Sequence, residues 1–180
     1  VRRIRKVSQV PIIFMSYYNP VFKYGEEKFV TDAVKAGVDG IIVPDLPPEE
    51  AGSLTVFAKR KGLDTIFLLA PTSDEDRIKT VCSSSTGFVY YVSLTGVTGT
   101  REGLSKDIKG MVRRIKIHTK NPVAVGFGIS RPEQTREISS WADGVIVGSA
   151  IVKVIEENIG KKTMPKKVHD FVKSLKDGMR

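Results

Sequence analysis

The chain has 180 residues, about one domain's worth, and its 41% hydrophobic and 27% charged residues exclude the disordered and collagen-like classes. No apolar run approaches the roughly 20 residues of a membrane helix. Net charge is +9, but "RRIRK", "KRK", "RRIKIHTK" and "KKTMPKK" carry no interleaved aromatic residues, so the cations read as solvated helix faces and not as a nucleic-acid surface.

The first stretch, "VRRIRKVSQVP", places Val1, Ile4 and Val7 at helical spacing before a break at Pro11. It reads as the last turns of a helix without a start signal, and it lacks the apolar core of a signal peptide. Six short apolar runs follow: "PIIFMSY", "GIIVPD", "DTIFLLA", "GFVYYVS", "PVAVGFG" and "GVIVGSA". Their near-continuous Val, Ile, Leu and Phe content predicts strands buried on both faces of a parallel sheet. Helical stretches lie between them. "EEKFVTDAVKAG" ends in a Gly suited to a helix C′ position. "PPEEAGSLTVFAKRKG" opens with Pro and acids and closes with cations and Gly, matching the helix dipole at both ends. "SDEDRIKTVCSSS" and "RPEQTREISSWA" start with a capping residue or with Pro and acids. The only cysteine, Cys82, reads as inert packing in a reducing cytoplasm. His118, late in a basic helix, and His169, in the C-terminal helix, read as surface residues.

Repeated βα units fit either an open doubly wound sheet or a closed (β/α)8 barrel. A dinucleotide fold carries its Gly-rich turn after the first strand, whereas here the Gly-rich strand ends are the last two, "GFGIS" and "GSAIVK". Barrels that bind phosphorylated substrates hold the phosphate after strands seven and eight. The expectation is therefore one TIM-barrel domain over residues 1–180, containing strands three to eight and lacking about 60 to 75 residues of the roughly 250 typical of such barrels.

In such barrels the chemistry sits at the C-terminal strand ends. Gly126, Gly128 and Gly148 permit close backbone approach, and Ser149 can offer a hydroxyl and an N–H to a phosphate at a helix start; a tight βα turn with a serine cap is the structural alternative. Asp45, in "VPDLPPEE", can serve as acid or base, or cap the next helix. Tyr90 shares a strand face with Phe88 and Val92 and either fills the barrel or turns its hydroxyl toward substrate. No carboxylate pair, Cys–His pair or metal-ligand cluster emerges from the spacing.

"YYNPVF", "VPDLPPEE", "YYVSLTGVTG", "GFGIS" and "GSAIVK", in this order, resemble the tryptophan synthase alpha chain family through essentially the whole chain. The resemblance implies a TIM barrel that splits indole-3-glycerol phosphate into indole and glyceraldehyde 3-phosphate in the cytoplasm. It implies an αββα complex with a beta chain that carries the pyridoxal phosphate, so that this chain has no cofactor or metal of its own. By the same resemblance Leu94 to Gly103 is a lid with Thr98 directed at a catalytic aspartate, and Gly99, Gly128, Gly148 and Ser149 contact phosphate. Tyr90 lies beside the reacting glycerol, Tyr17 lies near substrate, and Phe127 packs on indole. Asn19 and Pro47 meet the beta partner, and Asp45 couples the two sites. The family's catalytic glutamate and aspartate belong upstream of Val1, which implies that this segment alone is inactive. Alternatives are a non-catalytic barrel that binds and activates a beta-type partner, another phosphate-binding barrel isomerase, and a basic nucleic-acid-binding domain.

Overall fold

A computed structural model describes residues 1–93, 101–126 and 128–179. The chain divides into two compact units, one of Val1–Leu68 with Asp74–Val89, the other of Leu69–Ser73 with Tyr90–Arg180.

The first unit carries α1 (Arg2–Arg5), β1 (Ile13–Met15), α2 (Tyr18–Tyr24), α3 (Glu26–Ala36), β2 (Gly40–Ile42), α4 (Gly52–Lys61), β3 (Asp64–Ile66) and α5 (Glu75–Ser84). The strands form a parallel sheet in the order β1-β2-β3, with Phe14 opposite Ile41 and Ile41 opposite Thr65. Its core holds Val30, Ile41, Leu54, Ile66, Ile78 and Val81, all essentially inaccessible to solvent. Each such side chain contributes about 1.5–3 kcal/mol relative to exposure. Gly37 and Gly62 end α3 and α4 in the left-handed region, where a side chain would be strained. Asp74 starts α5 by accepting the Arg77 N–H at 2.8 Å.

The second sheet has the order β4-β5-β6-β7, from Leu68–Leu69, Val89–Val92, Val123–Gly126 and Gly144–Ile146. Around it the second unit places α6 (Arg101–His118), α7 (Pro132–Ser139), α8 (Ser149–Glu156) and α9 (Met164–Gly178). Tyr91, Val112, Ile115, Val123 and Val125 form its core, and Thr135 joins α7 to α9 by donating to Leu175 O at 2.8 Å.

Several expectations change on contact with the structure. The run "DTIFLLA" makes two strands, β3 and β4, that pair in different sheets on either side of Phe67. The first helix stops at Arg5, well before Pro11, because the Arg5 side chain turns inward to Gly37 O (2.8 Å), Val10 O (2.6 Å) and the Asp39 carboxylate. Arg5 is thus a structural cation and not part of a solvated face. Pro47 to Ala51 form a turn closed by the Glu50 and Ala51 N–H groups on Pro47 O, so α4 begins without the acids foreseen for its first turn. Strands β1 and β7 are not buried on both faces, and neither contains a fully buried residue. His118 is half-buried at the end of α6, whereas His169 is exposed as expected.

One arrangement recurs at the strand starts. Ile12 and Asp39 exchange two hydrogen bonds, Asp39 N–H to Ile12 O (2.9 Å) and Ile12 N–H to Asp39 Oδ2 (2.6 Å). Thr65 and Thr86 do the same through Thr86 Oγ1, at 3.0 and 2.9 Å, and Val123 and Asp143 through Asp143 Oδ2, both at 2.9 Å. Glycine follows each oxygen-bearing residue. A Cβ on Gly40 would lie 2.9 Å from Ile66 Cδ1, and one on Gly87 would lie 3.0 Å from Asp64 Cβ, so a neighbouring strand occupies the space. Burial raises the Asp143 carboxyl, but the Lys116 ammonium and the Val123 N–H outweigh it and hold the group below its ordinary range.

Candidate functional site

In the second unit, β6 and β7 run parallel with Gly126 opposite Ile146. Two residues past that pair in each chain direction of travel come Gly128 and Gly148, both exposed. Gly128 has φ +74°, a conformation that favours glycine, and buried Ile129 anchors the segment beyond it. The Gln134 side-chain oxygen then accepts the N–H groups of Ser130 (2.9 Å) and Arg131 (3.0 Å), which fixes the approach to α7. Gly148 is itself the N-cap of α8, no side-chain cap bond closes that end, and a Cβ there would meet nothing within 4 Å. Ser149 is therefore the first helical residue and exposed, which replaces the serine-cap alternative. Gly128 thus precedes α7 by four residues, and the Ser130 and Arg131 N–H groups between them are already held by Gln134. The start of α8 at Gly148 and Ser149, by contrast, is exposed and carries no side-chain cap, the kind of helix end that suits an anion.

Tyr90 lies half-buried on β5, opposite in facing to the buried Val89 and Tyr91, and burial raises its phenol above the ordinary value. Its ring lies over Gly126: a Cβ there would be 2.6 Å from the Tyr90 hydroxyl oxygen and 2.7 Å from Cε2. Gly126 thus serves side-chain packing as well as any ligand approach. Ser93, buried, donates both N–H (2.9 Å) and Oγ–H (3.1 Å) to Gly126 O and fixes that strand end. Thr98, Gly99 and Phe127, with residues 94–100 of the expected lid, lie outside the described residues.

The first unit brings together a different group. Asp45 follows β2 and accepts the Tyr18 N–H at 2.9 Å, so it caps α2 and not the helix that follows it. Tyr17 and Asn19, beside Tyr18, are exposed, and Pro47 is half-buried in the turn before α4. Glu49 in that turn receives Arg77 at 2.7 and 2.8 Å, and this bond first of all holds its carboxyl below the ordinary range. Tyr18 donates its hydroxyl to Glu26 Oε1 at 3.0 Å, and Ser53 Oγ donates to the other oxygen of the same carboxylate. Burial, then the Glu26 hydrogen bond and charge, raise the Tyr18 phenol. Sequence reasoning missed Tyr18, Glu26 and Ser53; the doubled tyrosine at a strand end was the available signal. Among the described residues no group of acids, cysteines and histidines is placed to hold a metal ion, and no helix is long and apolar enough to cross a membrane.

The family model described as tryptophan synthase alpha chain matches residues 1–180. The chain belongs to the tryptophan synthase alpha chain family. A tryptophan synthase alpha chain from Geotalea daltonii is 51% identical over 179 residues, which are 99% of this chain and 67% of that one. One from Methanocaldococcus jannaschii is 49% identical over 92% of this chain and 59% of its own length. Among solved structures, tryptophan synthase subunit alpha from Legionella pneumophila superposes with a TM-score of 0.88 at 35% identity, covering 99% of this chain and 66% of that one. A chain of the tryptophan synthase complex from Pyrococcus furiosus gives 0.85 at 38% identity, covering 98% and 70%. The chain spans about two thirds of the length of the relatives it matches. The fold class expected from the sequence, parallel α/β of the (β/α)8 barrel kind, holds for this family.

Proposed function

We propose that this chain is the substrate-phosphate and partner-binding part of a tryptophan synthase alpha subunit, acting in the retro-aldol cleavage of indole-3-glycerol phosphate to indole and glyceraldehyde 3-phosphate. The observation that supports this most is the pair of exposed glycine-bearing segments after the parallel neighbours β6 and β7, the turn at Gly128 and the uncapped helix start at Gly148-Ser149, in a chain of this family. A phosphate monoester is held there by backbone N–H groups around Gly128 and at the start of α8 and by the Ser149 hydroxyl, with Gly99 and the lid residue Thr98 completing the enclosure. Tyr90 lies beside the glycerol portion and Phe127 packs on the indole. Tyr17 borders the substrate from the other side.

The cleavage needs a base for the glycerol hydroxyl and an acid for the indole carbon released from the C–C bond, tasks suited to two carboxylates. The residues matched here to the family's site include neither, so the 180-residue chain by itself releases no indole. Its partner is the beta chain, with pyridoxal phosphate carried there, and Asn19 and Pro47 make the contact while Asp45 relays between the sites. The lone buried thiol of Cys82 fits a reducing cytoplasm. Inorganic phosphate or glycerol 3-phosphate titrated into the chain by NMR tests the binding half. Shifts at Gly128, Gly148 and Ser149 are expected, and shifts confined to lysine-rich helices would refute the site. Indole release assayed on the chain alone and with the N-terminal third of a relative added tests the other half: activity of the chain alone, unchanged by the addition, would refute the division of labour.

A further inference from the structure

Tyr18 and Glu26 have no place in the substrate chemistry, yet three elements of the first unit are tied together through them. The Tyr18 N–H donates to Asp45 beyond β2, its hydroxyl to Glu26 at the start of α3, and Glu26 in turn accepts from Ser53 near the start of α4. The Tyr18 ring also packs on Phe22, centroids 5.7 Å apart. Helix α2 is seven residues long and buries only Val21; its C-terminal end is tied to α3 by Tyr24, which donates to Asp32 Oδ2 at 2.8 Å and packs edge-on to Phe29, so the Tyr18 bonds are what holds its N-terminal turn. What it displays is aromatic: Tyr17 is 69% exposed and Phe22 58%, with exposed Asn19 between them. Exposed aromatic residues on a rigid support are the usual anchors of a protein–protein interface, and ordering such a surface beforehand lowers the cost of binding.

Resting on the partner reading above, we infer that Tyr18 and Glu26 are positioning residues of the beta-chain docking surface, holding α2 so that Tyr17, Asn19 and Phe22 are presented to the beta chain. The carboxylate of Glu26 links α4 to the first residue of α2, and the Tyr18 ring packs against Phe22.

The test is a calorimetric titration of the full chain with the beta chain of the same organism, alongside thermal melts of each variant. Tyr18→Phe keeps the ring and loses one hydrogen bond to a charged group, and Glu26→Ala loses two; Tyr18→Phe weakens binding roughly tenfold or more and Glu26→Ala at least as much. The double variant is no weaker than Glu26→Ala, because both remove the same link. Glu26→Gln, which keeps an acceptor for Tyr18, recovers most of the affinity. Ile115→Val, destabilised in the second unit, binds as the parent does, which separates positioning from loss of fold. Parent-like affinity of Tyr18→Phe and Glu26→Ala, or equal weakening by Ile115→Val, overturns the inference alone. A parent chain that fails to bind the beta chain overturns the partner reading and the inference with it.

Discussion

Replacing Gly126 with alanine adds one carbon at the point where Tyr90 leaves no room. The new Cβ falls 2.6 Å from the Tyr90 hydroxyl oxygen, 2.7 Å from Cε2 and 3.0 Å from Ile146 Cβ. Restoring an ordinary contact of 3.4 Å requires the tyrosine ring to retreat by about 0.8 Å. The backbone at Gly126 cannot yield easily, because Ser93 donates twice to its carbonyl and β7 pairs on its other side. Two effects then compete. Alanine in a strand gains about 0.5–1 kcal/mol over glycine by restricting the unfolded chain, while overpacking costs about 1–3 kcal/mol. Overpacking wins, and Gly126→Ala lowers stability by about 1–2 kcal/mol, or roughly 2–8 °C in Tm for a chain of this size. Urea unfolding of Gly126→Ala, Tyr90→Ala and the double variant measures the coupling. The double variant should be more stable than the summed single costs predict by about 1 kcal/mol or more, since removing the ring vacates the space. A neutral Gly126→Ala, or strictly additive costs, would refute the packing argument.

Other glycines give opposite signs. Gly178→Ala places a Cβ 2.5 Å from Pro132 O and 2.6 Å from Thr135 Oγ1, so it should loosen α9 from α7 at a cost of about 1–3 kcal/mol, whereas Gly110→Ala in α6 meets nothing within 4 Å and should stabilise by up to about 1 kcal/mol; paired urea melts decide both. Asp143 has a depressed pKa in the folded chain, so its carboxylate adds stability above the ordinary aspartate range and loses it as pH falls through the lower folded value. Asp143→Asn should therefore be less stable than the parent at pH 7, and the gap should narrow toward pH 3; a gap that stays constant with pH would count against the Lys116 pairing. Burial pushes the Cys82 thiol up to about 11 from an ordinary 9.0, so thiolate at pH 8 is about a hundredfold scarcer than in the unfolded chain. Labelling with a disulfide reagent should be slow in buffer and fast in urea, and rapid native labelling would show that the thiol is not enclosed.

The strand runs, the glycine-terminated helices and the last two strand ends were legible because each is a local pattern. Gly37 and Gly62 close their helices as the sequence implied, and Pro132 opens α7. The break at Phe67 was not legible, since which sheet each half of "DTIFLLA" joins is set by neighbours far along the chain. The same holds for Arg5, whose partners Gly37 and Asp39 lie more than thirty residues away. It holds again for Asp45, which caps a helix preceding it by 27 residues and not the one beside it. Composition recorded Arg5 as one cation in a basic run; only the fold shows it inward. Acids before a helix suggested a dipole match at "PPEE", but the turn closed on Pro47 O moved α4 downstream and left Glu49 to Arg77.

The reciprocal bonds at Ile12–Asp39, Thr65–Thr86 and Val123–Asp143 have a consequence for how such a chain diversifies. At the strand starts, Ile12–Asp39 fixes the offset of β2 against β1 and Val123–Asp143 that of β7 against β6, while Thr65–Thr86 ties β3 to the approach to β5. A strand slipped by one residue would turn its side chains to the wrong face, and here a single oxygen-bearing residue followed by glycine guards against that. The loops at the other end are thereby released from any duty of alignment. They can be lengthened, shortened or exchanged for those of another relative while the strands keep step. A graft that carries its own aspartate or threonine with its glycine, and meets the matching backbone N–H, brings its alignment with it.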